Sequence, residues 1–199
     1  MLSKFDYFKP ASLEEAVEFL DKNTGTKILA GGTDLVLDLN HGKINPEHLL
    51  DIKSIPETQV LSYTPGKGLF IGASIVVNRI SEDKVIQEKY PAISQGASVL
   101  AAYHVRNRAT VVGNLCNASP GADLSAPLLV YDAKLHIASV DGTREVPLSE
   151  FFTGVKKTIL KSNEIVIGIS VPDVEPSDKA IYLRKARIKG ADLCNVAVA

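Results

Sequence analysis

Apolar residues recur three and four positions apart near the start of the chain, over residues 13–20. This spacing predicts an amphipathic helix with one buried face. Ser12, followed three residues later by Glu15, predicts a capping box at the start of that helix. Gly25 suits the left-handed position just beyond a helix end. The first element is therefore predicted to be a helix that begins near residue 13 and ends before Gly25.

The next elements alternate between short apolar runs and helical spacing. Residues 27–30 and 49–52 are apolar runs typical of buried strands, and residues 34–40 between them have helical periodicity. Two strands joined by a helix in so short a stretch predict parallel pairing through a right-handed crossover. We therefore expect residues 1–56 to form a small α/β lobe.

The pattern changes after residue 57, where strand-forming runs are separated by glycine-containing turns. These runs predict two β-hairpins and a further strand, at 59–63 with 69–71, at 134–140 with 144–147, and at 164–171. Segments with helical or buried apolar spacing lie at 76–88, 91–100 and 124–131. Residues 57–174 are therefore expected to form an α+β lobe with a largely antiparallel sheet.

The last part of the chain has a different composition. Proline and acidic residues at 172–178 predict a linker. Strand-like runs follow at 180–183 and 195–199, and a lone strand pair is only marginally stable in water. We expect residues 1–174 to form one two-lobed domain, and residues 175–199 to be a linker and the truncated start of a further unit.

Two adjacent glycines, Gly31 and Gly32, separate the first predicted strand from the helical segment that follows. Glycine permits a tight turn and leaves the backbone N–H groups without a side chain to shield them. Amides of this kind at the start of a helix bind anions, phosphate above all. The alternative is an ordinary strand-to-helix turn in which Asp34 caps the helix. The local sequence leaves both interpretations open.

A second turn of related composition lies at Thr110-Val111-Val112-Gly113-Asn114, where a β-branched run predicts a strand that ends at the glycine. Asp123 follows a run of small residues and precedes an apolar helix, so it is either the cap of that helix or an acceptor for a sugar hydroxyl. Neither turn has the glycine spacing of a dinucleotide-binding Rossmann unit. Two turns with exposed backbone, one in each lobe, predict a diphosphate-bearing cofactor in the cleft between the lobes.

Charge and cysteine content exclude several function classes. With 199 residues, a net charge of -1 and a pI of about 6.4, the chain has no basic excess that would favour nucleic acid or an anionic membrane surface. Its two cysteines are too few for an iron–sulfur cluster, and its four histidines lack metal-ligand spacing. Cys116 is expected to be a packing residue. No apolar run predicts a membrane span or a secretion signal, and we expect a cytoplasmic protein.

Five ordered blocks of residues together resemble the FAD-binding subunit of molybdenum hydroxylases, the family of xanthine dehydrogenase and aerobic carbon monoxide dehydrogenase. The blocks are Ala30-Gly31-Gly32-Thr33-Asp34-Leu35, Pro46-Glu47-His48-Leu49-Leu50-Asp51-Ile52, Ile71-Gly72-Ala73, residues 105–114, and Ser119-Pro120-Gly121-Ala122-Asp123. The resemblance covers essentially the whole chain. It implies an α+β FAD-binding domain of the vanillyl-alcohol-oxidase (PCMH) type, with a small N-terminal α/β lobe, a larger lobe with a mainly antiparallel sheet, and the start of a C-terminal domain.

The resemblance also implies which residues contact FAD. Its first cofactor segment corresponds to Lys27, Ile28, Leu29, Ala30, Gly31, Gly32, Thr33, Asp34 and Leu35. Its second corresponds to Thr110, Val111, Val112, Gly113 and Asn114, followed by the family's aspartate at Asp123. Single matching positions are Leu100, Val166 and Arg184, with Leu193 near the flavin ring. The chain departs from the family at Val112, where glycine is usual, and at Arg184, where lysine is frequent.

By the same resemblance, the chain is expected to bind FAD non-covalently and to be the electron-transfer subunit of a multi-subunit molybdenum hydroxylase. A partner subunit with [2Fe-2S] clusters would deliver electrons taken from substrate by a molybdopterin-binding subunit, and the flavin would pass them to NAD or another acceptor. No side chain is expected to be an indispensable acid or base, and no metal is expected on this chain. Two alternatives stay open: a flavin-free assembly module of such a complex, and a stand-alone flavin oxidoreductase on the same fold.

Overall fold

The computed structural model describes residues 4–188 and 192–199, which form two lobes around one hydrophobic core. The helices are α1 (Leu13–Lys22), α2 (Leu35–Asn40), α3 (Val77–Glu82), α4 (Lys84–Lys89), α5 (Pro91–Val99), α6 (Tyr103–Arg106), α7 (Val111–Cys116), α8 (Ser125–Val130) and α9 (Leu148–Phe151). The strands are β1 (Asp6–Phe8), β2 (Lys27–Leu29), β3 (His48–Asp51), β4 (Leu61–Thr64), β5 (Gly68–Gly72), β6 (Lys134–Ser139), β7 (Gly142–Pro147), β8 (Phe152–Gly154), β9 (Lys157–Thr158), β10 (Ile165–Val171), β11 (Leu183–Lys185) and β12 (Val196–Val198). Within the described residues, no helix combines the length and the apolar character needed to cross a membrane.

The first lobe is built on a three-stranded parallel sheet with the order β1-β3-β2. Lys27 of β2 pairs with Leu49 of β3, and Asp6 of β1 pairs with His48 on the other side. The parallel pairing expected from the strand–helix–strand pattern is confirmed. The sequence pattern does not predict β1, because two of its three side chains are exposed and it contains no apolar run.

Helix α1 begins as its sequence predicts. Ser12 Oγ accepts the Glu15 N–H at 3.2 Å, and the Glu15 carboxylate accepts the Ala11 N–H at 2.8 Å. The first bond satisfies a donor that a helix start leaves free, and the second joins Glu15 to the residue before the cap instead of to Ser12. The buried face of α1 includes Ala16 and Leu20 and packs against β6 of the second lobe. The first helix therefore joins the two lobes.

The second lobe contains a five-stranded sheet with the order β4-β5-β10-β6-β7, in which every pairing is antiparallel. Ile169 of the central strand β10 pairs with Ile71 of β5 and with Leu135 of β6, and all three side chains are fully buried. Buried residues of α3, α5 and α7 belong to the same core. The predicted antiparallel sheet is confirmed.

Two predicted elements of this lobe have different boundaries. The helix expected at 76–88 is divided at Asp83, whose carboxylate accepts the N–H groups of Val85 and Ile86 at 2.9 and 3.1 Å and so begins a new helix, α4. The strand expected at 59–63 begins two residues later, at β4, because a 3-10 helix spans Pro56–Gln59. In both cases a local cap or turn overrides the periodicity.

Residues 172–178 contain no helix or strand, as expected for a connecting segment. The segment is nevertheless tied down, because Asp173 accepts the Gly66 N–H at 2.7 Å and the Tyr63 hydroxyl at 2.9 Å. Beyond it, β11 and β12 form an antiparallel pair. The strand expected at 180–183 therefore begins only at its last residue.

A buried carboxylate ties the β6–β7 hairpin to the start of β10. Arg144 of β7 donates from Nε and Nη2 to the Glu164 carboxylate, both at 2.9 Å, and the Lys161 N–H donates to it at 2.9 Å. The bond from Arg144 outweighs the effect of burial and, with the bond from Lys161, holds the pKa of Glu164 below its ordinary value. The ion pair therefore favours the ionised carboxylate in the folded state.

The stability contributed by this ion pair is expected to depend on pH. Because the folded pKa is lower than the unfolded one, the contribution is complete above the unfolded pKa and is lost as the pH falls through the folded pKa. We expect Glu164→Gln to lower the free energy of unfolding by about 1 kcal/mol at neutral pH. Urea titrations should show this difference shrinking below about pH 4. A difference that is the same at acidic and neutral pH would contradict the assignment.

Candidate cofactor-binding site

The first glycine turn lies between β2 and α2 and presents free backbone donors. Gly32 has a φ of +75°, in the left-handed region that glycine adopts without strain. Within the described part of the chain, no acceptor is hydrogen-bonded to the backbone N–H groups of residues 31–34. Helical bonding begins only with Val36, whose N–H donates to Gly32 O at 2.9 Å. Consecutive unpaired N–H groups of this kind form an anion-binding concavity.

Gly31 is required for a different reason, namely a close contact between the two turn segments. A Cβ built on Gly31 would lie 2.0 Å from Arg108 O and 2.9 Å from Ala109 Cα. The chain that leads into the second turn therefore rests directly on the first turn. This contact brings together two segments that the sequence places far apart.

Asp34 occupies the cap position of α2 but makes no side-chain cap bond, and its backbone is in the right-handed helical region, with φ -96° and ψ -46°. A capping side chain ordinarily requires an extended backbone at that position. The interpretation of Asp34 as a helix cap is therefore wrong. The first turn owes its shape to its glycines.

The second turn is the start of a helix, and the prediction of a strand at 110–112 is wrong. Thr110 Oγ1 accepts the Gly113 N–H at 3.0 Å and caps α7, which begins at Val111. Thr110 also forms an isolated antiparallel bridge with Val76. The β-branched run favours a strand locally, but the threonine cap and this single bridge fix a helix start.

The side chains of Val112 and Asn114 lie in different environments. Val112 is 4% exposed and belongs to the hydrophobic core. Its bulk is thus buried among core residues. The exposed backbone predicted for this turn is wrong, because the N–H groups of Gly113 and Asn114 donate to Thr110 Oγ1 and Thr110 O, both at 3.0 Å. Asn114 has a buried Oδ1 that lacks a hydrogen-bond partner among the described residues. A buried amide oxygen without a donor is costly, so a ligand that donates a hydrogen bond fits this point.

Asp123 and Arg184, both expected to contact the cofactor, bind each other. Arg184 Nη1 lies 3.0 and 2.9 Å from the two carboxylate oxygens of Asp123, and the side chains are 10% and 7% exposed, respectively. The hydroxyl of Tyr182 donates to Asp123 Oδ1 at 2.8 Å. Arg184 also donates to Val99 O and Asp192 O, each at 3.0 Å. This network fixes β11 to the second lobe.

Asp123 does not cap the helix that follows it. Helix α8 begins at Ser125, Leu124 occupies the cap position, and no side chain makes the cap bond. The cap interpretation is therefore wrong, and the structure shows a buried ion pair instead.

Tyr182, which donates to Asp123, was not predicted from the sequence. The available signal was its spacing of two from Arg184, since alternate residues of an extended strand face the same side.

The other residues expected to contact FAD differ in how exposed their side chains are. Leu100 and Val166 are 8% and 3% exposed and belong to the core, whereas Leu193 is 74% exposed. Leu100 and Val166 are thus accessible to a ligand over only a small part of their surface. A Cβ built on Gly121 would lie 3.3 Å from Cys194 O. The space beside Gly121 is therefore occupied by another part of this chain.

The thiol of Cys116, at the end of α7, is unreactive at neutral pH. Burial raises the pKa of the Cys116 thiol to about 12, so the thiol stays protonated at neutral pH. Its side chain packs against the core, in agreement with the packing role expected for it. In the parts of the chain that are described, no three His, Cys, Asp or Glu residues form a group that could hold a metal.

Comparison with known proteins gives related sequences over most of the chain. Residues 3–174 match the family described as the FAD binding domain in molybdopterin dehydrogenase. The xanthine dehydrogenase FAD-binding subunit of Escherichia coli O157:H7 is 37% identical over 166 residues, which cover 83% of this chain and 57% of that protein. The carbon monoxide dehydrogenase medium chain of Hydrogenophaga pseudoflava is 34% identical over 170 residues, which cover 85% of this chain and 59% of that protein. The chain thus spans less than two thirds of the length of these curated relatives.

Solved structures agree with the sequence matches. A carbon monoxide dehydrogenase from Hydrogenophaga pseudoflava that lacks the Mo-pyranopterin moiety of its cofactor matches with a TM-score of 0.92 and 31% identity, over 97% of this chain and 67% of that chain. Quinoline 2-oxidoreductase from Pseudomonas putida 86 matches with a TM-score of 0.90 and 27% identity, over 99% of this chain and 73% of that chain. The expected α+β fold is confirmed. Together with the match over residues 3–174, these similarities show that the chain belongs to the family of FAD-binding domains of molybdopterin dehydrogenases.

Proposed function

We propose that this chain holds FAD non-covalently where its two turn segments meet, and that it is the electron-transfer subunit of a multi-subunit molybdenum-containing dehydrogenase. The observation that carries the proposal is the row of unpaired N–H groups at residues 31–34, held against the approach to the second turn by the contact of Gly31 with Arg108. Such a row suits the diphosphate of FAD, because backbone donors need no counter-charge to bind an anion.

The second turn would supply a complementary contact. The buried, unpartnered Oδ1 of Asn114 would accept a hydrogen bond from a hydroxyl or N–H group of the cofactor. Val112 is buried in the core. Since the Gly113 and Asn114 N–H groups already donate to Thr110, this segment would contribute the Asn114 side chain. Val112 packs in the core like its apolar neighbours, so its presence gives no support to the flavin-free alternative.

The redox chemistry would belong to the cofactor. When bound, FAD takes up two electrons and releases them to an acceptor, while the protein binds and orients it. The chain's own groups would fix the diphosphate through residues 31–34 and keep the neighbouring Cys116 protonated and unreactive. We further propose that the electrons come from a partner subunit with [2Fe-2S] clusters, supplied by a molybdopterin-binding subunit, and go to NAD or another small oxidant.

The proposed diphosphate site is tested by Gly32→Val. We expect FAD affinity to fall by about tenfold or more, because a β-branched residue is strained at a left-handed φ. The backbone shift that relieves this strain would turn the N–H donors away from the diphosphate. The new Cβ would also lie 2.9 Å from Leu29 Cδ1. Fluorescence titration of flavin-free protein with FAD measures the change.

The matched control is Gly42→Val, at the other end of α2. Gly42 has a φ of +66° and no atom within 4 Å of a built Cβ, so the backbone strain is similar but the site is untouched. Its FAD affinity should stay within about twofold of the wild type. Unchanged affinity in Gly32→Val would contradict the placement of the diphosphate.

The subunit role is tested on the protein isolated from its source. Mass spectrometry of the intact complex is expected to find an iron–sulfur subunit and a molybdopterin-binding subunit with the flavin-loaded chain. Anaerobic addition of NADH should bleach the flavin absorbance if NAD is the physiological acceptor. A flavin-loaded chain that turns over a substrate without any partner would instead favour the stand-alone oxidoreductase.

A further inference from the structure

A buried carboxylate lies at the end of β3, next to the first glycine turn. Asp51 is 3% exposed. Its Oδ1 accepts Lys53 Nζ at 2.7 Å and the Lys53 backbone N–H at 3.0 Å, and its Oδ2 accepts the hydroxyl of Tyr7. Burial acts to raise the pKa of Asp51, but the hydrogen bonds from Lys53 and Tyr7 outweigh it and hold that pKa below its ordinary value. The Asp51 carboxylate is therefore ionised and is held by donors from Lys53 and Tyr7.

Lys53 connects this carboxylate to the turn. Its Nζ donates to Ala30 O at 3.2 Å. Ala30 immediately precedes residues 31–34, whose N–H groups are unpaired. An ammonium group has three donors, and two of them are used by Asp51 and Ala30. The Lys53 side chain as a whole is 35% exposed.

The bond from Lys53 acts on the peptide that leads into the first turn. Lys53 contacts the turn itself, whereas the carboxylate of Asp51 contacts Lys53 and Tyr7. The Ala30–Gly31 peptide is trans, so the Gly31 N–H points away from the Ala30 carbonyl oxygen that Lys53 binds. Lys53 therefore lies behind this N–H group and holds its peptide in place.

We infer that Lys53 is a further cofactor-positioning residue, which fixes the Ala30 carbonyl and so directs the Gly31 N–H at the diphosphate of FAD. The inference rests on the proposed function, since it requires the diphosphate to bind at residues 31–34. Neither glycine motif indicates it. In the sequence, Lys53 is an ordinary polar residue after a strand.

The test compares Lys53→Met with a surface control. Loss of a charge-assisted contact should raise the dissociation constant for FAD by about tenfold, and that for riboflavin, which lacks the diphosphate, by less than about twofold. Lys53→Arg keeps the charge and should lose less FAD affinity than Lys53→Met. Lys22→Met is the matched control, because Lys22 is exposed and pairs with Glu18 on α1. It should leave both affinities unchanged.

A second variant separates loss of the Lys53 bond to the turn from destabilisation of the core. Lys53→Met alone leaves the buried Asp51 carboxylate without its cation, which is destabilising in itself. The double variant Asp51→Asn/Lys53→Met removes both charges and is expected to show the same selective loss of FAD. Equal losses for FAD and riboflavin, or wild-type FAD affinity in both variants, would overturn the inference.

A measurement on the unmodified protein covers the case in which these variants fail to fold. Reductive methylation of lysines, read by mass spectrometry, should be slowed at Lys53 and not at Lys22 when ADP is present. Labelling of Lys53 that is unchanged by ADP, in protein that binds FAD, would overturn the inference alone. Wild-type protein that binds no FAD would overturn the proposed function.

Discussion

Gly31→Ala is expected to destabilise the folded protein by about 3 kcal/mol or more and to abolish flavin retention. The added Cβ would lie 2.0 Å from Arg108 O and 2.9 Å from Ala109 Cα. Both are backbone atoms, so no change of rotamer relieves the clash. The two turn segments would have to separate, and the site between them would be lost. Urea denaturation and flavin content after desalting measure the two effects.

The control for this variant is Gly154→Ala. Gly154 lies on β8, and the nearest atom to a built Cβ is Lys157 Cδ at 3.9 Å, an ordinary contact. Its free energy of unfolding should stay within about 0.5 kcal/mol of the wild type. Wild-type stability in Gly31→Ala would mean that the contact between the turns is not formed.

Asp123→Ala is expected to lower the free energy of unfolding by about 3 to 5 kcal/mol, because it leaves a buried arginine without its counter-charge. Arg184 is 10% exposed and would lose both contacts with carboxylate oxygens. Tyr182→Phe removes only one neutral donor and should cost about 1 kcal/mol. Urea titrations of both variants test this ranking. A small effect of Asp123→Ala would contradict the buried ion pair.

The FAD affinities of the same variants distinguish two roles of Asp123. If the aspartate only holds β11 in place through Arg184, Asp123→Ala and Arg184→Met should weaken FAD equally. If its carboxylate also accepts a cofactor hydroxyl, Asp123→Ala should weaken FAD more. The resemblance to the family predicts a direct contact, while the structure shows the carboxylate engaged by Arg184 and Tyr182.

Elements with a local cause were predictable from local sequence. Ser12 caps α1 as expected, while Glu15 bonds back to Ala11 instead of Ser12, and both bonds join residues only three or four positions apart. The same holds for the antiparallel hairpins, whose turns bring adjacent strands together. The prediction at 110–112 is wrong because two local preferences compete there. The cap at Thr110 prevails over the strand preference of the valines that follow.

The sequence by itself determined that the chain has two glycine-containing segments, one in each lobe, and that its ordered blocks belong to one family. Only the tertiary structure decided that Gly31 faces the Arg108 carbonyl, that Asp123 pairs with Arg184, and that Lys53 reaches Ala30. The last two contacts join residues 61 and 23 positions apart, respectively. Spacing and composition reflect interactions within a few residues, whereas these partners are set by how strands and helices pack.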